Sequence, residues 1–251
     1  MENTRDSCAV REKNMNTLRL WPGGPLYAEA KHMPITTDSI LLADFAVVHS
    51  GEKGADLGCA SGLLMLMLLW REKGLCMTGL ELLPEAVQLA EENLRANGLQ
   101  ERAELVCGDL RETAGKLPNG GYDFIISNPP YYTAESGSQS PDEARSGARG
   151  EKTLRLPELC RAASQLCRSG GRVFFCYRAE RLVSLLQEMR EQHLEPKRIR
   201  FVQHNAASPA SMLLVEGRKD GKPGIKVEPA FLIRGEDGKE TEEYRRICHL
   251  V

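Results

Sequence analysis

Strands and helices alternate along this chain in a way that predicts an α/β fold: a seven-stranded, mostly parallel sheet with one antiparallel strand and helices on both faces. Three observations carry that prediction. Short apolar runs recur at 54–59, 76–81, 103–107, 122–127 and 172–177; stretches with helical apolar spacing lie between them; and two β-rich runs, 198–203 and 211–216, close the series. Strands separated by helices imply parallel pairing through right-handed crossovers. The last two runs have only a short connection, so one of them runs antiparallel.

The elements follow in order. A helix is expected over Ser39 to Val47, then a strand from Gly54 to Cys59 feeding a Gly-containing turn, with Leu63 to Glu72 as the helix behind it. Cys76 to Glu81 is the second strand. Pro84 sits at a helix start, where its missing N–H costs nothing. Glu85 to Ala96 carries helical apolar spacing at Ala86, Val87, Leu89, Ala90 and Leu94, and Asn97-Gly98 closes it. Ala103 to Cys107 and Tyr122 to Ser127 are strands three and four. The helix Leu156 to Cys167 precedes strand Arg172 to Tyr177, and Arg181 to Gln192 is the last helix. The first 16 or so residues, Thr133 to Lys152 and Lys219 to Pro229 read as loops. No internal repeat is present.

Composition bounds the classes. With 251 residues, 41% hydrophobic and 27% charged, the chain has enough material for one large domain. Its longest apolar stretch, Leu63 to Trp70, is too short to cross a bilayer, and the N-terminus has no apolar signal region, so a cytoplasmic protein with no membrane partner is expected. The eight cysteines are scattered, with no CxxC pair or Cys/His cluster, which points to reduced thiols and no metal. Charge is uneven. Residues 1–144 carry 12 Lys and Arg against 21 Asp and Glu, a net −9, and residues 145–251 carry 21 against 14, a net +7. A basic C-terminal half could lie on phosphates, or could be ordinary solvated helix faces.

The first turn reads Asp56-Leu57-Gly58-Cys59-Ala60-Ser61-Gly62. Gly58 and Gly62 permit close backbone approach where a strand feeds a helix. It is not the GxGxxG turn of a diphosphate site, and Asp56 suits a cofactor with a cationic amino group instead. Glu81 ends the second strand, where an acid can take ribose hydroxyls. Asp109, with Leu110 beside it after the third strand, is placed for an adenine amino group. Any one of these could be a solvated loop carboxylate; three at successive strand ends line one crevice.

After the fourth strand stands Asn128-Pro129-Pro130-Tyr131. The Asn128 side-chain carbonyl and the Pro129 main-chain carbonyl can both accept from one planar NH2 group, and the prolines fix φ and remove competing N–H groups. Pro130 biases Pro129 toward extended backbone, and Tyr131 offers an aromatic face for stacking. The long stretch 133–152 that follows reads as a substrate loop.

These motifs resemble those of the class I S-adenosylmethionine-dependent methyltransferases, over roughly residues 36–216. DLGCASG is similar to that family's glycine-rich motif, with Ala60 where Gly is commoner, and SNPPY resembles the motif of enzymes that methylate the amines of adenine, guanine, cytosine or glutamine. The run Thr36-Thr37-Asp38-Ser39-Ile40-Leu41-Leu42-Ala43, the segment Asn93 to Leu99, and the basic stretch from Glu143-Ala144-Arg145 resemble the tRNA (adenine-N6)-methyltransferases acting on valine tRNA. The resemblance implies a Rossmann-like class I fold, with residues 1–35 as an N-terminal extension and 36–251 as the methyltransferase domain. It further implies S-adenosyl-L-methionine as cofactor, held by Asp38, Asp56, Gly58, Gly62, Glu81, Asp109, Leu110 and Asn128, and catalysis by Asn128, Pro129, Pro130 and Tyr131 on an adenine N6 amine of tRNA. Asp38 would lie near the methionine end, or else serve as the N-cap of its helix. Another RNA base amine or a protein glutamine remains an alternative substrate, although only about 50 residues precede the first strand. A DNA adenine methyltransferase would need a further recognition segment. A nicotinamide oxidoreductase is disfavoured by the missing GxGxxG, and a non-catalytic RNA-binding relic by the intact acidic and amide positions.

Overall fold

In the computed structural model, residues 16–29, 35–112, 116–129 and 155–249 are described. Two short strands, β1 (Asn16–Arg19) and β2 (Leu26–Glu29), pair antiparallel as a separate hairpin. Then come α1 (Thr37–Phe45), β3 (Lys53–Leu57), α2 (Leu63–Arg71), β4 (Cys76–Glu81), α3 (Pro84–Ala96), β5 (Ala103–Cys107) and β6 (Tyr122–Ser127). The second half holds α4 (Leu156–Leu166), β7 (Cys167–Arg178), α5 (Leu182–Glu191), β8 (Leu194–Gln203), β9 (Ala210–Lys219), the two-residue β10 (Lys226–Val227) and β11 (Phe231–Leu232), and α6 (Glu242–Ile247).

The main sheet runs β10-β8-β9-β7-β6-β3-β4-β5, with β11 also paired to β8. The pairs from β5 to β7 are parallel, and β9 is antiparallel to both its neighbours. The seven expected strands thus form the body of the sheet, and β10 and β11 extend its edge. Both faces are covered, which is why the central strands read as near-continuous apolar runs. Phe124, Ile126, Phe174 and Cys176 point into a core with α1 and α2, while Ile125, Val173 and Phe175 point into a second core with α4 and α5.

Several expected boundaries shift. The first helix spans Thr37–Phe45, two residues ahead of the 39–47 reading, because the Thr36 hydroxyl accepts from the Ser39 N–H and caps it. The Arg71 guanidinium donates to the carbonyls of Ala43 (2.8 Å) and Ala46 (2.7 Å), fastening the other end of α1 to α2. β7 begins at Cys167, not Arg172: a register shift between Tyr122 and Phe124 lets the 168–171 stretch stay on the strand. The expected 219–229 loop contains β10. The N-terminal extension carries the β1–β2 hairpin, and its Trp21 stacks on His249 at 3.9 Å, near the other end of the chain.

Candidate active site

The four strands β5, β4, β3 and β6 lie side by side and end at the same edge. Asp109 follows β5, Glu81 is the last residue of β4, Asp56 is the penultimate residue of β3, and Asn128 follows β6. The register is direct: Glu81 is opposite Cys107, and Asp56 is opposite Gly79 on one side and Ile126 on the other. The Ser127 hydroxyl donates to the Leu57 carbonyl at 2.6 Å and locks the ends of β3 and β6 together. The structure therefore brings the three predicted acids and the predicted amide to neighbouring strand ends along one edge of the sheet.

Asp56 is fully buried, and neither carboxylate oxygen has a hydrogen-bond partner among the described residues. Burial first, and the nearby Glu81 charge second, push its carboxyl up to about 8. A buried acceptor pair without donors is costly, and a cationic amino group placed against it would compensate. The fit to a cofactor carrying an ammonium is good on this observation.

The turn after β3 is built for close approach. Gly58 and Cys59 donate their N–H groups to the Leu80 carbonyl at 2.8 and 3.1 Å. At Gly58 φ is +78°, and no heavy atom of the described residues lies within 4 Å of the side a Cβ would occupy, which leaves the bare backbone open to a ligand on that side. Gly62 serves a different end: φ is +79°, and an added Cβ would stand 3.1 Å from that of Ala90 in α3. Ala60 also takes a left-handed conformation, with φ +47°, at a cost of about 1–2 kcal/mol. Its N–H donates to Glu81 Oε2 at 2.9 Å, which holds the strained peptide. Glu81 Oε1 accepts from Leu82 and Leu83 at 2.8 and 3.0 Å. Beside it, the Leu82 side chain is exposed, an apolar surface that a flat ring could cover.

Asp109 differs from expectation in one respect. Its carboxylate is already gripped by Arg111, through Nε at 2.8 and 3.0 Å and through Nη2, and by the Arg111 N–H at 2.9 Å. The Arg111 hydrogen bonds, above all, hold that carboxyl below its usual range. An adenine amino group would share this acid with an arginine. Leu110 is buried at the start of a short 3-10 turn, 110–112.

Asp38 is not the N-cap of α1; Thr36 is, and Asp38 sits half-buried in the first turn. That turn touches the site, because Asn128 Nδ2 donates to the Ser39 hydroxyl at 3.0 Å. Asn128 is half-buried and Pro129 buried. Pro130, Tyr131 and the 133–152 loop lie outside the described residues.

Sequence reasoning missed the layer behind these groups. The buried hydroxyls of Tyr27 (β2) and Ser61 (the glycine turn) are hydrogen-bonded to each other. Asn93, buried in α3, donates to the Ser61 carbonyl at 3.0 Å and to the Ala28 carbonyl at 3.2 Å, and accepts from the Ala28 N–H at 2.6 Å. Asn97, one turn later, pairs likewise with the Leu26 N–H (2.8 Å) and carbonyl (2.7 Å). Two asparagines spaced i, i+4 on the same helix face were the available signal. In the C-terminal half, Arg172, Arg198, Arg200 and Arg190 are ion-paired with Glu52, Glu216, Glu243 and Glu195, and of these pairs only Arg172 with Glu52 draws on an acid of the first half. No described helix is long and apolar enough to cross a membrane.

A sheet of this order, with a glycine turn after its first parallel strand and acids at successive strand ends, defines a Rossmann-like methyltransferase. The family model for the methyltransferase small domain matches residues 32–142. A tRNA1(Val) (adenine(37)-N6)-methyltransferase from Shewanella sp. (strain MR-4) is 30% identical over 215 residues, covering 84% of this chain and 88% of that protein. One from Parabacteroides distasonis is 31% identical over 186 residues, covering 73% of this chain and 76% of its own. The chain belongs to this tRNA1(Val) (adenine(37)-N6)-methyltransferase family. Among solved structures, a predicted O-methyltransferase from Agrobacterium tumefaciens superimposes with a TM-score of 0.70 at 17% identity, covering 85% of this chain and 96% of that one, a likeness of fold.

Proposed function

We propose that this chain transfers the methyl group of S-adenosylmethionine to the exocyclic N6 amine of an adenine in tRNA. The observation that carries the reading is the placement of Asn128 and Pro129 at the end of β6, beside the buried, unpartnered Asp56 on β3. Asp56 would take the cofactor's ammonium, Glu81 its ribose hydroxyls, and Asp109 with Leu110 its adenine, while Gly58 gives backbone room, Gly62 seats the turn against α3 and Asp38 lies toward the methionine end. When bound, the cofactor supplies an electrophilic methyl on a cationic sulfur.

Asn128 Oδ1 and the Pro129 carbonyl accept the two amine hydrogens and turn the nitrogen lone pair out of the ring plane toward that methyl. Held by those residues, the cofactor would give its methyl to that nitrogen, the electron pair of the broken carbon–sulfur bond going to a neutral thioether. The nitrogen, now cationic, releases its proton to water, so positioning supplies most of the rate. An RNA base must leave its stack to reach the site, with Tyr131 as its new stacking partner and the 133–152 loop as a substrate clamp.

The test is nucleoside mass spectrometry of tRNA incubated with the protein and labelled cofactor, with Asn128→Ala alongside. Labelled N6-methyladenosine from the parent protein alone is expected. Label in another nucleoside, or only in protein, would overturn the substrate assignment.

A further inference from the structure

We infer that Ser39 is a positioning residue that sets which face of the Asn128 carboxamide meets the substrate; this rests on the role proposed for Asn128. A carboxamide has two faces of nearly the same shape, one an acceptor and one a double donor. Only the oxygen can receive a hydrogen from a substrate amine. With its nitrogen turned outward, Asn128 would set N–H against N–H and repel the group it must hold. Packing alone distinguishes the two orientations poorly, so a hydrogen-bonding partner has to choose.

The structure supplies one. Asn128 Nδ2 donates to Ser39 Oγ at 3.0 Å, across 89 residues of sequence. Ser39 Oγ also lies 3.2 Å from Thr36 Oγ1, which caps α1 and accepts the Ser39 N–H at 3.4 Å. A hydroxyl has one hydrogen and two lone pairs. Either hydroxyl can donate within the Thr36–Ser39 pair; when Ser39 donates to Thr36, it faces Asn128 as an acceptor only, which matches the observed amide with its nitrogen on Ser39. Flipping Asn128 would require the hydroxyl pair to reverse together, Ser39 donating to the amide oxygen and Thr36 donating to Ser39. The orientation of the amide is thus coupled to the start of α1, and α1 is in turn held by Arg71, which grips its far end. Ser39 touches Asn128 and not the reacting atoms.

The experiment compares Ser39→Ala, Ser39→Thr and Asn128→Ala in the full chain. Turnover on tRNA and KM for tRNA are measured, with S-adenosylhomocysteine affinity by calorimetry. Ser39→Ala keeps the Thr36 cap, and we expect kcat to fall about tenfold, the equivalent of one lost hydrogen bond, with the affinity for S-adenosylhomocysteine within about twofold of the parent. Ser39→Thr, which keeps the hydroxyl, should restore most of kcat. The Asn128 side-chain NH2 resonances in an amide nitrogen-correlated NMR spectrum should shift in Ser39→Ala and return in Ser39→Thr. Parental kcat in Ser39→Ala beside an inactive Asn128→Ala overturns the inference and leaves the Asn128 role standing, and failure of Thr to restore turnover overturns it equally. Parental kcat in Asn128→Ala removes the role itself, and the inference with it.

Discussion

Tyr27 and Ser61 are hydrogen-bonded hydroxyl to hydroxyl across 34 residues of sequence, and the two side chains are 1% and 3% exposed. Tyr27 belongs to the N-terminal hairpin and Ser61 to the turn that follows β3, so the hairpin reaches directly into the glycine turn. Asn93 completes the contact by joining the Ser61 carbonyl to the backbone of Ala28. These groups have no water to fall back on, so each partner removed leaves another unsatisfied. The hairpin is consequently part of the scaffold of the glycine turn.

Tyr27→Phe keeps the ring in the core and removes only the hydroxyl. Ser61 then loses a buried partner, at a cost of about 1–3 kcal/mol in stability. Because Ser61 lies in the turn that would carry the cofactor, we expect S-adenosylhomocysteine affinity to fall by about three- to tenfold, in proportion to the part of that loss felt by the turn. Calorimetric titration of both proteins at a temperature where each is folded measures this. Equal affinities would show that the hairpin stabilises the fold without shaping the turn.

Asn93→Ala tests the other half of the same contact. It removes two hydrogen bonds to the Ala28 peptide and one to Ser61. The amide of Ala28 then has no acceptor within α3, whereas that of Leu26 retains Asn97. Hydrogen exchange should quicken at Ala28 by at least tenfold and change much less at Leu26, with overall stability down by about 2–4 kcal/mol. Uniform quickening across the sheet would mean global destabilisation without local release.

What the sequence made legible follows from how local each signal is. β4, β5 and β6 fall at the bounds read from the apolar runs because each is short and stops at a Gly, Pro or Asn near its end. Asp56, Glu81, Asp109 and Asn128 could be read as candidate site residues because each lies within two residues of the end of a strand. Ser39, Tyr27 and Asn93 could not, since their partners stand 89, 34 and 65 residues away and no local pattern encodes such pairs. The backward extension of β7 was hidden because Arg168-Ser169-Gly170-Gly171 has turn composition, and only a bulge against β6 keeps it on the strand. Asp109 follows β5 as the apolar run indicates, whereas its clasp by Arg111, two residues on, depends on the turn conformation.

Asp56 makes stability depend on pH in a defined direction. Its carboxyl titrates near 3.8 in the unfolded chain and is pushed up to about 8 in the fold, by burial first and Glu81 second. The folded protein therefore retains a proton that the unfolded chain has lost throughout that window. Stability from this group is intact below about pH 4 and falls as pH rises toward 8. Asp56→Asn has no such proton, so thermal melts of the cofactor-free protein should show the variant gaining on the parent steadily from pH 5 to pH 8. The same variant should lose S-adenosylhomocysteine binding, because a neutral amide cannot pair with the ammonium. Parallel melting curves across that range would mean the carboxyl finds a donor that the fold does not show.

Gly54 opens the way for Phe124. The two are cross-strand partners in β3 and β6, and a Cβ at 54 would come within 2.1–2.7 Å of three ring carbons. Phe124 is fully buried and meets Phe174 edge-on, with centroids 6.1 Å apart, so its ring has nowhere to retreat. Gly54→Ala should therefore cost about 1–3 kcal/mol, the range for overpacking a close-packed core. Because β3 and β6 carry Asp56 and Asn128, a splayed pair should lower turnover as well as melting temperature. Adding Phe124→Leu relieves the clash, so the double variant should lose less than the sum of the two single changes. Simple additivity in denaturant unfolding would place the ring elsewhere and remove this account of why a glycine stands in the middle of the sheet.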